Sequence, residues 1–291
     1  MGRPGGRRAP FRSGHSPPLS PRDNLVLLRA SAAPRQIHAF AARDILHPIC
    51  HHENLARRRF FVDSIHGGAA ELRGDEARHL TRVLRVEPGQ RFEISDNQQA
   101  YLAEISEARG ERVIFHILET LPAHASPVSV TLCASLIKFD RFEWIIEKAT
   151  ELGVDRILPV DAARTEKGLF DAAHKRSERW ARIARESSQQ SRRVRIPQIL
   201  PAVRLPQCLG ETAAHRYLLD EAEAPPLLRE IPAERSDSVA LLIGPEGGWT
   251  DAERSLARDA SWQPVSLGPL VLRAETAACA SLAIVLNAWL T

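Results

Sequence analysis

The run Leu241-Leu242-Ile243-Gly244-Pro245-Glu246-Gly247-Gly248-Trp249-Thr250 decides how this chain is read. It starts inside an unbroken apolar segment, Val239 to Ile243, of the kind a parallel strand buried on both faces requires. It then breaks into a Gly/Pro loop. Thr250, with Glu253 three residues on, makes a capping box that opens a helix to about Asp259. A second strand, Val265 to Leu267, ends the same way, in Gly268-Pro269-Leu270-Val271-Leu272-Arg273, before a last helix from Glu275 to Leu290. Open α/β sheets bind ligands beyond the carboxyl ends of their strands. Two such loops at successive strand ends therefore predict one pocket, although either alone reads as a connecting turn.

The chemistry of the loops narrows the ligand. Gly244, Gly247 and Gly248 let backbone approach a ligand closely, and Pro245 and Pro269 lower the ordering cost of binding. The pattern is neither G-x-G-x-x-G nor G-x-x-x-x-G-K-[ST], and no lysine lies nearby. Glu246 repels phosphate. A neutral or cationic ligand fits better, such as an adenosyl group bearing a sulfonium.

Outward from these loops, residues 126–291 alternate strands with helices, the signature of an α/β domain. Val128 to Leu136 is a nearly continuous apolar strand. Asp140 with Glu143 predicts a capped helix whose apolar face is Phe142, Ile145, Ile146, Ala149 and Leu152, ending at Gly153. Arg156 to Val160 reads as a strand, and Asp171 to Gln190 as one long helix. Ile199 to Val203 and Tyr217 to Leu219 are shorter strands.

Residues 58–122 read as a small β-barrel with one inserted helix. Strands are expected at Arg58 to Val62, Gln90 to Ser95, Ala100 to Ser106 and Arg112 to Leu118. The helix, Ala77 to Val86, puts Ala77, Leu80, Val83 and Leu84 on one face and Arg78, His79, Arg82 and Arg85 on the other. Arg57, Arg58, Arg59, Arg78, Arg82 and Arg85 form a phosphate-gripping cluster or a solvated face.

Residues 1–57 are rich in Pro, Gly, Ser and Arg, and predict a disordered leader. They resemble a transit peptide or upstream sequence joined by a misplaced start. They hold nine arginines against three acids. The whole chain is net +3, so the other 234 residues are net −3. Overall charge therefore gives no case for nucleic acid, which must rest on local patches. No apolar stretch approaches the roughly 18 to 20 residues of a membrane span. Cys50, Cys133, Cys208 and Cys279 are too scattered for a zinc site or a disulfide framework, and fit a reducing cytoplasm without a bound metal.

Several segments together resemble one family. They are Leu241–Gly248 and Leu267–Thr276, with Arg58-Arg59-Phe60-Phe61-Val62 and His79-Leu80-Thr81-Arg82-Val83-Leu84-Arg85. Lys138–Gly153 and the stretch from Ser191-Arg192-Arg193 to Ile196-Pro197 complete the set, in the right order across residues 58–291. The family is that of the bacterial RsmE enzymes, 16S ribosomal RNA uracil-N3 methyltransferases of the SPOUT class.

The resemblance implies a PUA-like barrel followed by a SPOUT-type trefoil-knotted α/β domain, and a homodimer. It implies S-adenosylmethionine held by Ile243, Gly244, Glu246, Gly247, Gly248, Leu267, Gly268, Leu272, Arg273 and Thr276. Uracil N3 carries a proton with a pKa of roughly 9 to 10, tyrosine-like. Arg273 is expected to stabilise the uracil anion, and Glu275 to accept the proton or fix Arg273. A carboxylate serving the helix dipole is the other reading of Glu275. Arg58, Arg59, Arg82, Arg85, Lys138, Arg141, Arg192 and Arg193 are expected to face the 16S ribosomal RNA of the small subunit. Alternative functions are a SPOUT enzyme acting at another RNA position and a non-catalytic ribosome-assembly factor.

Overall fold

The computed structural model describes Gly2 and residues 58–122, 126, 128–222, 224–234 and 237–290. The expected leader, Gly2 aside, lies outside these residues, and so does Arg57.

The first sheet contains β1 (Arg59–Phe61), β2 (Ser64–His66), β3 (Ala69–Arg73), β4 (Arg91–Ser95), β5 (Ala100–Arg109) and β6 (Arg112–Thr120). Their order is β1-β4-β5-β6-β3-β2, so the two ends of the sheet are neighbours in the chain. Val62 N–H bonds Ser95 O at 2.9 Å, and the next residue, Asp63, bonds Glu71 O at 3.0 Å. Consecutive amides thus pair with opposite edges, which closes the sheet into a barrel. Phe60, Phe92 and Phe115 meet edge-on inside it, at 5.7 and 6.4 Å between rings. The hairpin β2–β3 was missed because its strands are short. Gly67-Gly68, with φ of 58° and 81°, is nonetheless the two-residue turn chemistry a hairpin needs.

The expected helix from Ala77 to Val86 is corrected. The chain forms α1 (Gly74–His79) and then a π-helical turn, Leu80–Leu84, ending at Arg85 in the left-handed region. Ala77 and Leu80 stay buried, but the widened turn takes Val83 and Leu84 off their stripe, to 64% and 48% exposure.

The second sheet is wholly parallel. It is built from β7 (Ser129–Ser135), β8 (Arg156–Asp161), β9 (Gln198–Ile199), β10 (Val203–Arg204), β11 (His215–Leu219), β12 (Ser238–Ile243) and β13 (Gln263–Val265). The order is β10-β8-β7-β12-β11-β13, with β9 lying along the same edge of β8 as β10. Its helices are α2 (Phe139–Leu152), α3 (Leu169–Ala173), α4 (Ser177–Gln190), α5 (Leu205–Cys208), α6 (Leu227–Glu230), α7 (Asp251–Asp259) and α8 (Ala274–Ala288). Strand alternation feeds two cores. Leu132, Ala134, Leu241 and Ile243 pack with α2, α4 and α8, where Trp180 meets Phe142 at 4.9 Å. Cys133, Leu158 and Leu242 pack on the other face with Trp249 and Trp262. This two-sided burial is what makes β7 and β12 read as continuous apolar runs.

Two local expectations change. α2 starts one residue before Asp140, and Lys138 precedes it without a side-chain cap. Glu143 does not reach back to the helix start, because Arg179 takes both its oxygens at 2.7 Å. The long helix from Asp171 is broken into α3, a 3-10 turn at His174–Arg176, and α4.

Barrel and parallel sheet are tied through α4 and the segment after it. Arg185 bonds Glu76 at 2.6 Å and Phe61 O at 2.8 Å. Ser95 Oγ donates to Val194 O at 2.7 Å, and Ile196 N–H to Asn97 Oδ1 at 2.8 Å.

Candidate active site

Because every strand of the second sheet runs the same way, all its carboxyl ends lie along one edge. Three loops leave that edge side by side, after β11, β12 and β13. They enclose a cavity of about 350 Å³ lined by Leu219–Glu221, Ile243–Glu246, Gly248, Trp249, Leu267, Gly268 and Leu270–Ala274, with Arg141 and Ala277.

The β12 loop is held from several sides. Gly248 N–H closes a turn onto Pro245 O at 2.9 Å, and its φ of 69° suits glycine. Trp249 lies under the loop, its Nε1 donating to Leu219 O at 2.9 Å. A Cβ on Gly244 would come within 3.0 Å of that indole. Arg164, from the loop after β8, donates to Gly247 O at 2.6 Å and reaches Trp249 O at 3.4 Å. The Arg164 loop is itself fixed by buried Glu253. One Glu253 oxygen takes Ala163 N–H at 2.7 Å, and the other takes the N–H and hydroxyl of Thr250 at 2.9 and 2.8 Å. The expected capping box of α7 is present and also braces a neighbouring loop.

Five charged side chains line the cavity. Glu246 pairs with Arg141 of α2. Asp220 is held by the fork of Arg254 at 2.8 and 3.0 Å. Burial works against the Asp220 carboxylate, but Arg254 and backbone amides at Ala222 and Glu221 outweigh it, holding its pKa below the usual range. Glu221 has no ion pair among the described residues. Arg273, exposed, stands immediately before α8.

Eight of the ten expected cofactor-binding residues line the cavity: Ile243, Gly244, Glu246, Gly248, Leu267, Gly268, Leu272 and Arg273. Gly247 is turned towards Arg164, and Thr276 is exposed off the wall. Glu275 also lies off the wall, in the first turn of α8, with Oε2 buried and unpartnered. The loop after β11 and Arg164 were missed. Both follow expected strands, so position at a strand end was the available signal.

The RNA-facing set divides. Arg58, Arg82, Arg85, Lys138 and Arg192 are exposed, and Arg141 is half-buried at the cavity. Arg192 also lies 3.6 Å from Glu93. Arg59 and Arg193 are corrected. Arg59 is 8% exposed, paired with Glu93 at 2.9 Å and donating to Arg192 O at 2.6 Å. Arg193 caps the end of α2 by bonding Thr150 O and Val154 O, each at 2.7 Å. Burial lowers its pKa. Both guanidiniums are committed to the fold.

Two family models match in register with this architecture. An RNA methyltransferase PUA domain matches residues 72–118, and an RNA methyltransferase domain matches residues 124–286. The ribosomal RNA small subunit methyltransferase E of Mycobacterium bovis is 32% identical over 236 residues, covering 78% of this chain and 90% of its own. This chain belongs to that family.

The family's Bacillus subtilis member is 31% identical, covering 71% of this chain and 85% of its own. A family member from Neisseria gonorrhoeae, solved bound to S-adenosyl methionine, superposes with a TM-score of 0.73 at 30% identity, covering 80% and 98% of the two chains. A Legionella pneumophila protein solved in complex with the bound cofactor SAM gives 0.72 at 29%, covering 79% and 97%. The fold is that of the SPOUT-type α/β methyltransferases with a PUA-like barrel in front, and the protein is an RNA methyltransferase.

Proposed function

We propose that this protein transfers a methyl group from S-adenosylmethionine to N3 of one uridine in the 16S ribosomal RNA of the small subunit. The observation that carries the reading is the cavity bounded by the Gly244–Gly248 and Leu267–Arg273 loops. Its residues suit the cofactor. Leu219, Ile243, Leu267, Leu272 and Ala277 offer apolar walls to a purine, and the glycines expose backbone groups to its edge. Two of the three wall carboxylates are paired, Asp220 with Arg254 and Glu246 with Arg141, which leaves Glu221 without an ion pair among the described residues. When bound, the cofactor supplies an electrophilic methyl group on a sulfonium.

The chain's own part is alignment and charge. The braced loops hold position with little reorganisation, which is where most of the rate of a displacement comes from. Arg273 stabilises negative charge developing on the uracil carbonyls as N3 gives up its proton to solvent water. Glu275, off the cavity wall, is a positioning residue: its carboxylate suits the N-terminus of α8 and fixes the helix start that presents Arg273.

RNA contact is assigned to Arg58, Arg82, Arg85, Lys138, Arg141 and Arg192, with the target base splayed out towards the cavity. A second copy of the chain supplies a partner for the exposed Leu270, Val271, Trp144 and Leu290. We assign the trefoil knot to the chain's return from β13, on the outer edge of the sheet, to α8, which packs against α2. Among the described residues no helix is long and apolar enough to cross a membrane, which suits work on ribosomal RNA in the cytoplasm.

The deciding experiment incubates the protein and cofactor with small-subunit particles from a strain lacking the gene, then maps the modified nucleotide. One N3-methyluridine in 16S ribosomal RNA is expected. A methyl group at another position overturns the substrate assignment.

A further inference from the structure

Glu221 stands in the cavity with no assigned work. Of the three carboxylates on the wall, Asp220 is taken by Arg254 and Glu246 by Arg141. Glu221 alone has no ion pair among the described residues. Glu221 is exposed, and its carboxylate lies over the glycine turn, in the space that a Cβ on Gly248 would occupy. The acid at the end of β11 is therefore laid across the glycine turn at the end of β12. The two strands are adjacent and parallel, with Leu218 opposite Leu242.

This juxtaposition has a known physical use in parallel sheets. Where a glycine turn lets a nucleoside lie close to one strand end, an acid at a neighbouring strand end takes the ribose hydroxyls. An ionised carboxylate only accepts hydrogen bonds, and its two oxygens match the two donors of a vicinal diol. A phosphate would be repelled here, and an adenosyl group carries none.

We propose that Glu221 is the ribose-reading residue of the cofactor pocket, accepting hydrogen bonds from the 2′- and 3′-hydroxyls of the bound nucleoside. The inference rests on the adenosyl reading of the cavity made above. Side chains at this position then decide between ribose and deoxyribose forms of the ligand, and have no part in the transfer of the methyl group. Gly248 serves the same purpose by leaving the room in which the carboxylate sits.

The test is calorimetric binding of S-adenosylhomocysteine and of its 2′-deoxy analogue to the full chain, as wild type, Glu221→Gln and Glu221→Ala. Glu221 is exposed, so matching thermal midpoints will show that the variants fold. The wild type should favour the ribose form by about ten- to a hundredfold, the range expected for charge-assisted hydrogen bonds to a hydroxyl. Both variants should lose that factor on the ribose form and bind the two ligands alike. Discrimination that persists in the variants overturns the proposal. So does an equal loss for both ligands, the mark of an ammonium contact or of a disturbed loop. If the wild type binds neither ligand, the adenosyl reading falls and this inference with it. If it binds both and only the coupling is missing, this inference falls alone.

Discussion

Arg164 donates to the carbonyl of Gly247 at 2.6 Å, so a residue beyond β8 holds the glycine turn beyond β12. The aliphatic stem of Arg164 also covers the face of Gly247, where a Cβ would come within 3.2 Å of Arg164 Cβ and Cδ. Glu253 in turn pins the backbone beside Arg164, at Ala163. A loop that must lie close to a ligand is thereby rigid before the ligand arrives, and preorganisation of this kind lowers the cost of binding.

Replacing Arg164 with alanine should weaken S-adenosylmethionine binding about fivefold, equivalent to roughly 1 kcal/mol for an exposed hydrogen-bonding contact. The thermal midpoint should move little, because the side chain is exposed and the core beneath is untouched. Calorimetry beside a thermal melt checks both. Unchanged affinity would show that the turn holds itself.

Arg273→Ala should slow single-turnover methylation by about a hundredfold, the scale of losing one donor at a developing negative charge. Cofactor affinity should stay within about threefold, since most of the wall is contributed by other residues. Glu275→Gln should cost far less, and thermal stability should register the change at α8. Full single-turnover activity in Arg273→Ala would remove it from the chemistry.

The arginines separate into two experimental classes. Alanine at Arg82 or Arg85 should weaken RNA binding and flatten its salt dependence, by about 0.7 to 0.9 in the log–log slope for each phosphate no longer neutralised. Their melting temperatures should match the wild type. Alanine at Arg59 or Arg193 should instead lower the melting temperature, because each leaves buried acceptors unpaired. Filter binding across a salt series, with melts alongside, tests the division.

The Asp220–Arg254 pair predicts a pH dependence with a definite sign. Its carboxylate pKa is lowered in the folded state, so the pair's contribution is complete above the unfolded value of about 3.9. It is lost as pH falls from there through the folded value. Asp220→Asn should therefore be destabilised near neutral pH by about 1 to 2 kcal/mol, the scale of a charge-assisted hydrogen bond at a part-buried site. The gap to the wild type should close below about pH 4. Thermal melts of both proteins between pH 7 and pH 3 measure it.

The elements that were legible in sequence are those whose causes are local. The apolar run Val239 to Ile243, the Thr250–Glu253 box and the Gly/Pro loops each act within a few residues, so composition and spacing carried them into the structure. The same reasoning failed at Leu80–Leu84, where one spacing fits a regular helix but the chain makes a wider turn. It failed again at Asp140 and Glu143, because Glu143 found a better partner in Arg179, 36 residues away.

From sequence alone came the parallel α/β unit, the barrel before it and two walls of the pocket. Those follow from periodicity, from turn chemistry and from strands that end in glycine and proline. The tertiary structure supplied the third wall at Leu219–Glu221 and the brace from Arg164 to Gly247, 83 residues apart. It also decided which arginines face solvent, burying Arg59 against a carbonyl 133 residues away. A charge shows its type in sequence, but its role depends on which carbonyls and carboxylates the folded chain brings within about 3 Å of it.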